Sequence, residues 1–180
     1  MQDTYETNRL LINRFALTDV TDVADMFEDQ ELNLMSGLRL PETRPEKLMG
    51  LTMLVKTQNS LIYILRNKES GNAVGLVVFY RMYLLNYVYS EFECEIGFVL
   101  SRDSWQQGLM SEALRQLISA YFEETDFVGI YAGAHSDNVR SQALLKRMGF
   151  QAKKVPRYLS EDQFDEQLEY FYLSESMLND

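Results

Sequence analysis

Hydrophobic positions along this chain change their spacing several times, and each change marks an element. RLLINRF, from Arg9 to Phe15, alternates and predicts a short strand. Thr18 is placed to cap a following helix whose Val20, Val23, Ala24 and Phe27 share one face. Pro41 and Pro45 bracket the polar stretch PETRP, a loop between two helices, and Pro45 opens the second helix, which runs to about Thr57. LIYILRN and AVGLVVFYRMY read as strands joined by a turn at Glu69, Ser70, Gly71 and Asn72; FECEIGFVL alternates and reads as another. Gly108 begins a long helix reaching about Glu124, with Met110, Ala113, Leu114, Leu117, Ile118 and Tyr121 on its buried stripe. GIYAGA is a buried strand, and Asn138 to Met148 is a helix closed by Gly149. Two further strands are predicted around Phe150 to Tyr158 and Leu168 to Leu173. This mixed order implies an α/β or α+β sheet with helices on its faces. With no repeat, low-complexity tract or linker, one domain over residues 1–180 is the simplest organisation.

Composition narrows the function classes. The chain has 180 residues, 46% of them apolar and 24% charged, the make-up of an ordinary globular domain. Its formal net charge is −10, which repels phosphate backbones and argues against nucleic acid as partner, while a basic substrate would be attracted. No apolar run is long enough to span a bilayer, so no membrane partner is expected, and MQDTYETNRL lacks a secretory pattern. The single cysteine, Cys94, forms no internal disulfide and no cysteine-rich metal site; the expected compartment is the reducing cytoplasm. The single histidine, His135, sits in the polar run AHSDN without an acidic residue at the spacing of a metal-binding helix, so no metal is expected.

Two stretches carry chemistry. In EIGFVLSRDSWQQGLMSEALRQL a strand ends at Leu100, a polar loop follows and Gly108 opens a helix. Helix N-termini present unpaired N–H groups and partial positive charge, and glycine lets a backbone approach a pyrophosphate closely. The same feature is also what a simple loop glycine looks like. In AHSDNVRSQALLKRMGF, Asn138 and Ser141 stand three apart and share the first turn of a helix, a spacing that equally suits capping by Asp137 or Asn138.

Taken together, a loop-then-Gly helix, a strand and N-x-x-S-x-x-L-L-K-x-x-G-F resemble the GCN5-related N-acetyltransferase (GNAT) superfamily, and most of all its ribosomal-protein-alanine acetyltransferase type. ETNRLLINRF is similar to that subgroup's first strand, EIGFVL to its central strand and WQQGLMSEAL to its pyrophosphate loop and helix. The likeness runs from about Glu6 to Leu173. It implies a twisted, mostly antiparallel mixed sheet, splayed between its fourth and fifth strands, with helices on both faces. It also implies acetyl-CoA as co-substrate. The pantetheine would pair with Phe98, Val99 and Leu100. The pyrophosphate would rest on the backbone N–H groups of Gln107, Gly108, Leu109, Met110 and Ser111, and Asn138 would contact the pantetheine arm. Two positions depart from the family pattern. Met110 stands where Gly or Ala is usual, so its side chain either crowds the phosphates or turns into the core. Gln106 and Gln107 replace the frequent Lys or Arg.

Amide formation needs a base for the acceptor ammonium and a partner for the departing thiolate. On FECEIGFVL, Phe92, Cys94, Ile96 and Phe98 face one side, and Glu93, Glu95 and Gly97 the other. The family often places a carboxylate at the Glu95 position, as base directly or through water; a solvated or Arg-paired glutamate is the alternative. The tyrosine acid of many members falls here on Leu145. The subgroup's helix serine matches Ser141, whose hydroxyl would bond the departing sulfur, unless it is a plain helix serine. Cys94, on the apolar face, reads as a core thiol. The resemblance thus implies transfer of acetyl to a primary amine, a protein N-terminus or small molecule, by direct attack in a ternary complex, with a homodimer left open. A CoA-binding sensor or scaffold without turnover is the rival, and a protein-interaction domain that binds no CoA a third. Specificity is expected in ELNLMSGLRLPETRPE and in the tail loop LSEDQFDEQ, where Asp162, Asp165 and Glu166 either attract a basic acceptor or are simply solvated.

Overall fold

Alternating segments become strands and 3.6-period segments become helices in the computed structural model, which describes residues 1–36, 38, 40–57, 60–83, 89–153 and 167–178. In chain order the elements are β1 (Thr4–Glu6), β2 (Leu10–Arg14), α1 (Val20–Met26), α2 (Gln30–Met35), α3 (Arg44–Thr57), β3 (Ser60–Asn67), β4 (Ala73–Tyr83), β5 (Tyr89–Leu100), α4 (Leu109–Glu124), β6 (Gly129–His135), α5 (Val139–Arg147), β7 (Gln151–Lys153) and β8 (Leu168–Ser174). The strands form a mixed sheet in the order β1-β2-β3-β4-β5-β6-β8-β7. The pairs β1–β2, β2–β3, β6–β8 and β7–β8 are antiparallel, whereas β5–β6 is parallel.

Two elements escaped the periodicity. β1 has three residues, too few to display a period of two. The six-residue α2 buries only Leu32 and leaves Leu34 and Met35 exposed, so it carries no apolar stripe; the Asp29 carboxylate caps it by accepting from the Leu32 N–H at 3.2 Å. Thr18 is not the cap of α1. It lies in a 3-10 turn that the Asp19 carboxylate closes by accepting from the Ala16 N–H at 2.9 Å, and Asp19, the residue before α1, makes no side-chain cap bond to that helix. The tail loop with Asp162, Asp165 and Glu166, and the predicted strand beyond Lys153, lie outside the described residues.

The chain divides into two compact units, residues 1–78 with 98–117 and residues 79–97 with 118–180. In the first, Ile62, Tyr63, Ile64 and Leu65 of β3 are buried in succession, so both faces of that strand are covered. Leu10 and Ile12 of β2, Val23, Ala24 and Phe27 of the α1 region, Leu51 of α3 and Leu114 and Leu117 of α4 complete its core. In the second, Cys94, Ile96, Ile130, Ala132, Ala134, Phe171 and Leu173 are buried on one side of the sheet. The Tyr121 ring of α4 stacks on Phe79 at 4.6 Å, and Leu144 and Leu145 of α5 are buried. Phe92, expected on this apolar side, is exposed; its carbonyl accepts from the N–H of the equally exposed Val128, at the end of the β5–β6 ladder.

The strands expected as fourth and fifth are β5 and β6, and their pairing is short. It runs from Glu93↔Gly129 to Glu95↔Tyr131, whereas β6 stays paired with β8 as far as His135↔Leu168. The parallel ladder thus stops at Glu95.

Candidate active site

Within the first unit, β5 delivers the chain to the loop that opens α4. Trp105 donates its indole N–H to the Leu100 carbonyl at 2.7 Å, so that carbonyl of the expected Phe98–Leu100 set is already engaged. Arg102 grips both Asp29 carboxylate oxygens, at 2.8 and 2.9 Å, and lies over the Trp105 ring. Gln106 and Gly108 both have positive φ, 61° and 76°, so the backbone turns sharply twice before the helix. A Cβ at Gly108 would meet only the Arg9 guanidinium, at 3.6 Å, so the approach to this backbone is open.

Arg9 and Glu112, neither assigned a role from sequence, hold this loop. The Arg9 guanidinium donates to the Gln107 carbonyl at 2.7 Å and to Glu112 Oε2 at 2.7 Å. Glu112 Oε1 accepts from the Arg9 N–H at 2.8 Å and from the Thr7 hydroxyl at 2.5 Å. Burial alone would raise the Glu112 carboxyl, but the hydrogen bonds from Thr7 and Arg9 and the charge of Arg9 hold it below the usual range. With the Gln107 carbonyl turned to Arg9, no hydrogen-bond acceptor among the described residues takes the N–H groups of Leu109, Met110 and Ser111. Met110 is buried, so its side chain turns into the core and does not crowd them. Gln107 folds its amide onto the Asp103 carbonyl at 2.8 Å. These residues fit an anionic diphosphate through backbone donors rather than through side-chain charge.

The second unit holds the carboxylate chemistry. Cross-strand partners share a face, so Glu93 and Glu95 of β5 lie on the same side as Gly129, Tyr131 and Gly133 of β6 and Tyr170 and Tyr172 of β8. This is the side opposite the buried Cys94 and Ile96. Three glycines punctuate it. The Tyr80 ring lies over Gly97, where a Cβ would be 3.0 Å from its edge, and Tyr172 lies over Gly129. Gly133 alone of the three is exposed, although it sits inside a strand paired on β8; a Cβ there would be 3.5 Å from Glu95 Oε1 and 3.7 Å from the Tyr170 ring. The result is an opening in the sheet face with the Glu95 carboxylate at its side.

Glu95 makes no hydrogen bond or ion pair among the described residues, and burial pushes its carboxyl above the usual range. The neighbouring Tyr80 hydroxyl is pushed up to about 12, by burial first and then by the negative charge of Glu95. Cys94 is buried, and its thiol is likewise pushed up to about 12 by burial, which makes it inert at neutral pH. Asn138 is the cap of α5: its Oδ1 accepts from the Ser141 N–H at 3.1 Å. Ser141 is half-buried in that first turn, and Leu145 is fully buried, a position closed to any acid. No group of three or more His, Cys, Asp or Glu among the described residues is arranged to hold a metal.

Residues 9–151 match the family model of the acetyltransferase (GNAT) domain. The chain belongs to the GNAT acetyltransferase family. It is 23% identical over 155 residues to the uncharacterized N-acetyltransferase YoaA of Bacillus subtilis (strain 168), covering 84% of this chain and 85% of that protein. Among solved structures, the GNAT-family acetyltransferase from Bacillus anthracis superposes with a TM-score of 0.77 at 18% identity, over 96% of this chain and 99% of that one. The ribosomal-protein-S5-alanine acetyltransferase from Vibrio fischeri does so with a TM-score of 0.71 at 17% identity, over 95% and 96%. The chain is therefore an N-acetyltransferase by family, and GNAT proteins generally use acetyl-CoA. The loop before α4, with its unpartnered N–H groups, and the short β5–β6 ladder are the features of this chain that suit that fold.

Proposed function

We propose that this GNAT protein transfers an acetyl group from acetyl-CoA to the primary amine of a protein N-terminus or a small molecule, in the cytoplasm, by direct attack in a ternary complex. What acetyl-CoA supplies is a thioester, an acyl carbon open to a neutral amine. The N–H groups from Gln107 to Ser111 bind its pyrophosphate, Phe98, Val99 and Leu100 align its arm, and Asn138 contacts that arm. The Glu95 carboxylate takes the proton from the acceptor ammonium, directly or through water. The Ser141 hydroxyl donates to the sulfur as negative charge develops there.

The observation that carries this reading is the Glu95 carboxylate beside exposed Gly133: an unneutralised, partly desolvated base at the one opening described on that strand face. The test is thiol release from acetyl-CoA against a panel of primary amines and N-terminal peptides. Turnover with at least one acceptor is expected, and Ser141→Ala should lower kcat more than it weakens CoA binding. Acetyl-CoA binding without thiol release on any acceptor would leave a sensor or scaffold in place of the enzyme.

A further inference from the structure

The sheet face that carries Glu95 continues into a seat for a second positive charge. Tyr131 is the cross-strand partner of Glu95, and Tyr172 is the partner of Tyr131. The two rings meet at 4.7 Å with an interplanar angle of 53°, forming a two-sided aromatic corner. Behind it, the negative charge of Glu93, on the same side of the sheet, lies near the Tyr172 hydroxyl. The corner already receives a cation: the Lys153 ammonium stands 4.0 Å from the Tyr172 centroid and 5.7 Å from that of Tyr131. Lys153 is exposed and lies on β7, the outermost strand of the sheet, so an incoming cation of similar size can displace it.

We propose that the acceptor is an aliphatic diamine, with one nitrogen reacting beside Glu95 and Gly133 and its second, charged nitrogen seated on Tyr131 and Tyr172 in place of the Lys153 ammonium. This deepens the reading of Glu95 as base and rests on it. Adjacent strands stand about 4.8 Å apart, so Glu95 on β5 and Tyr172 on β8 are about 10 Å apart across β6, a gap that about four to six methylenes span. Charge complementarity points the same way: Glu93 and Glu95 flank the path, and the chain's net charge is −10.

The experiment compares α,ω-diamines of increasing length with length-matched monoamines, in wild type, Lys153→Met and Tyr172→Leu, with Tyr172→Phe as the conservative variant. A diamine of matching length should exceed its monoamine by about tenfold in kcat/KM, mostly through KM. Lys153→Met, which removes the resident cation, should widen that advantage. Tyr172→Leu should collapse it, and Tyr172→Phe should keep most of it. Equal kcat/KM for diamine and monoamine, or an advantage indifferent to both Lys153→Met and Tyr172→Leu, would overturn the proposal. If Tyr172→Leu fails to fold, the Lys153→Met comparison decides alone. Turnover of monoamines with no diamine preference sinks only this inference; no turnover with any amine sinks the enzyme reading itself.

Discussion

The phenol oxygen of Tyr172 occupies the space above Gly129, well inside the distance at which any Cβ could stand. Only because position 129 has no side chain can Tyr172 lie across β6 toward Glu93, the register partner of Gly129 on β5. Gly129→Ala should therefore displace the ring and destabilise the fold by about 1–3 kcal/mol, as overpacked sites do. Chemical denaturation measures it. A variant as stable as wild type would mean that Tyr172 has another place to go.

Glu95→Gln keeps shape and removes the base, so the rate with a good acceptor should fall about 10²–10⁴-fold. The fall should shrink as pH rises, because more of the acceptor is then already deprotonated. The same substitution should stabilise the protein at neutral pH. The folded-state pKa of Glu95 is raised, so the folded protein binds its proton more tightly, and wild-type stability declines as pH rises from the unfolded value through the folded one. The stability difference should vanish below about pH 4, where both states are protonated. Full activity with an unchanged pH–rate profile would make Glu95 structural.

Gly108→Val tests the phosphate loop. At φ 76° a branched residue costs about 1–2 kcal/mol of backbone strain, and its side chain fills the open side of the loop. CoA affinity, read by calorimetry, should drop about tenfold or more, equivalent to about 1.4 kcal/mol. Unchanged affinity in the folded variant would show that the phosphates bind elsewhere.

Glu112 offers a pH-dependent test of what holds that loop. Its folded pKa is depressed, so the stability it contributes is complete above the unfolded value near about 4.3 and is lost as pH falls through the folded one. Arg9 is half exposed, which limits the pair to about 1 kcal/mol. Glu112→Gln should lower the melting temperature at pH 7 and reduce CoA affinity, with the stability loss disappearing in acid. A difference that persists at low pH would assign the effect to packing.

Much of the molecule was written in local pattern. The stripe of α4, from Met110 to Tyr121, requires only the 3.6-residue repeat and one apolar side, and every residue named on it is buried. Gly108, Asn138 and Gly149 were legible as helix boundaries because capping is a property of neighbours in sequence. Met110 was ambiguous until packing turned it inward, since helix phase is read reliably only beyond the first turn. β1 and α2 lacked the length or the stripe to be seen.

What the sequence by itself determined is the longer, periodic elements, the parity that puts Glu95 opposite Cys94, and the glycine before α4. Tertiary structure alone decided their neighbours. Arg9 meets Glu112 across a separation of 103 residues, Tyr131 and Tyr172 join Glu95 through strand register, and the Tyr80 ring comes over Gly97 beside it. The physical reason is that a strand records which face each side chain takes, at a period of two, but not which strand lies beside it or where their pairing stops. That Gly133 remains uncovered while Gly97 and Gly129 lie beneath tyrosines depends on side chains from β4 and β8, and no local pattern around Gly133 encodes it.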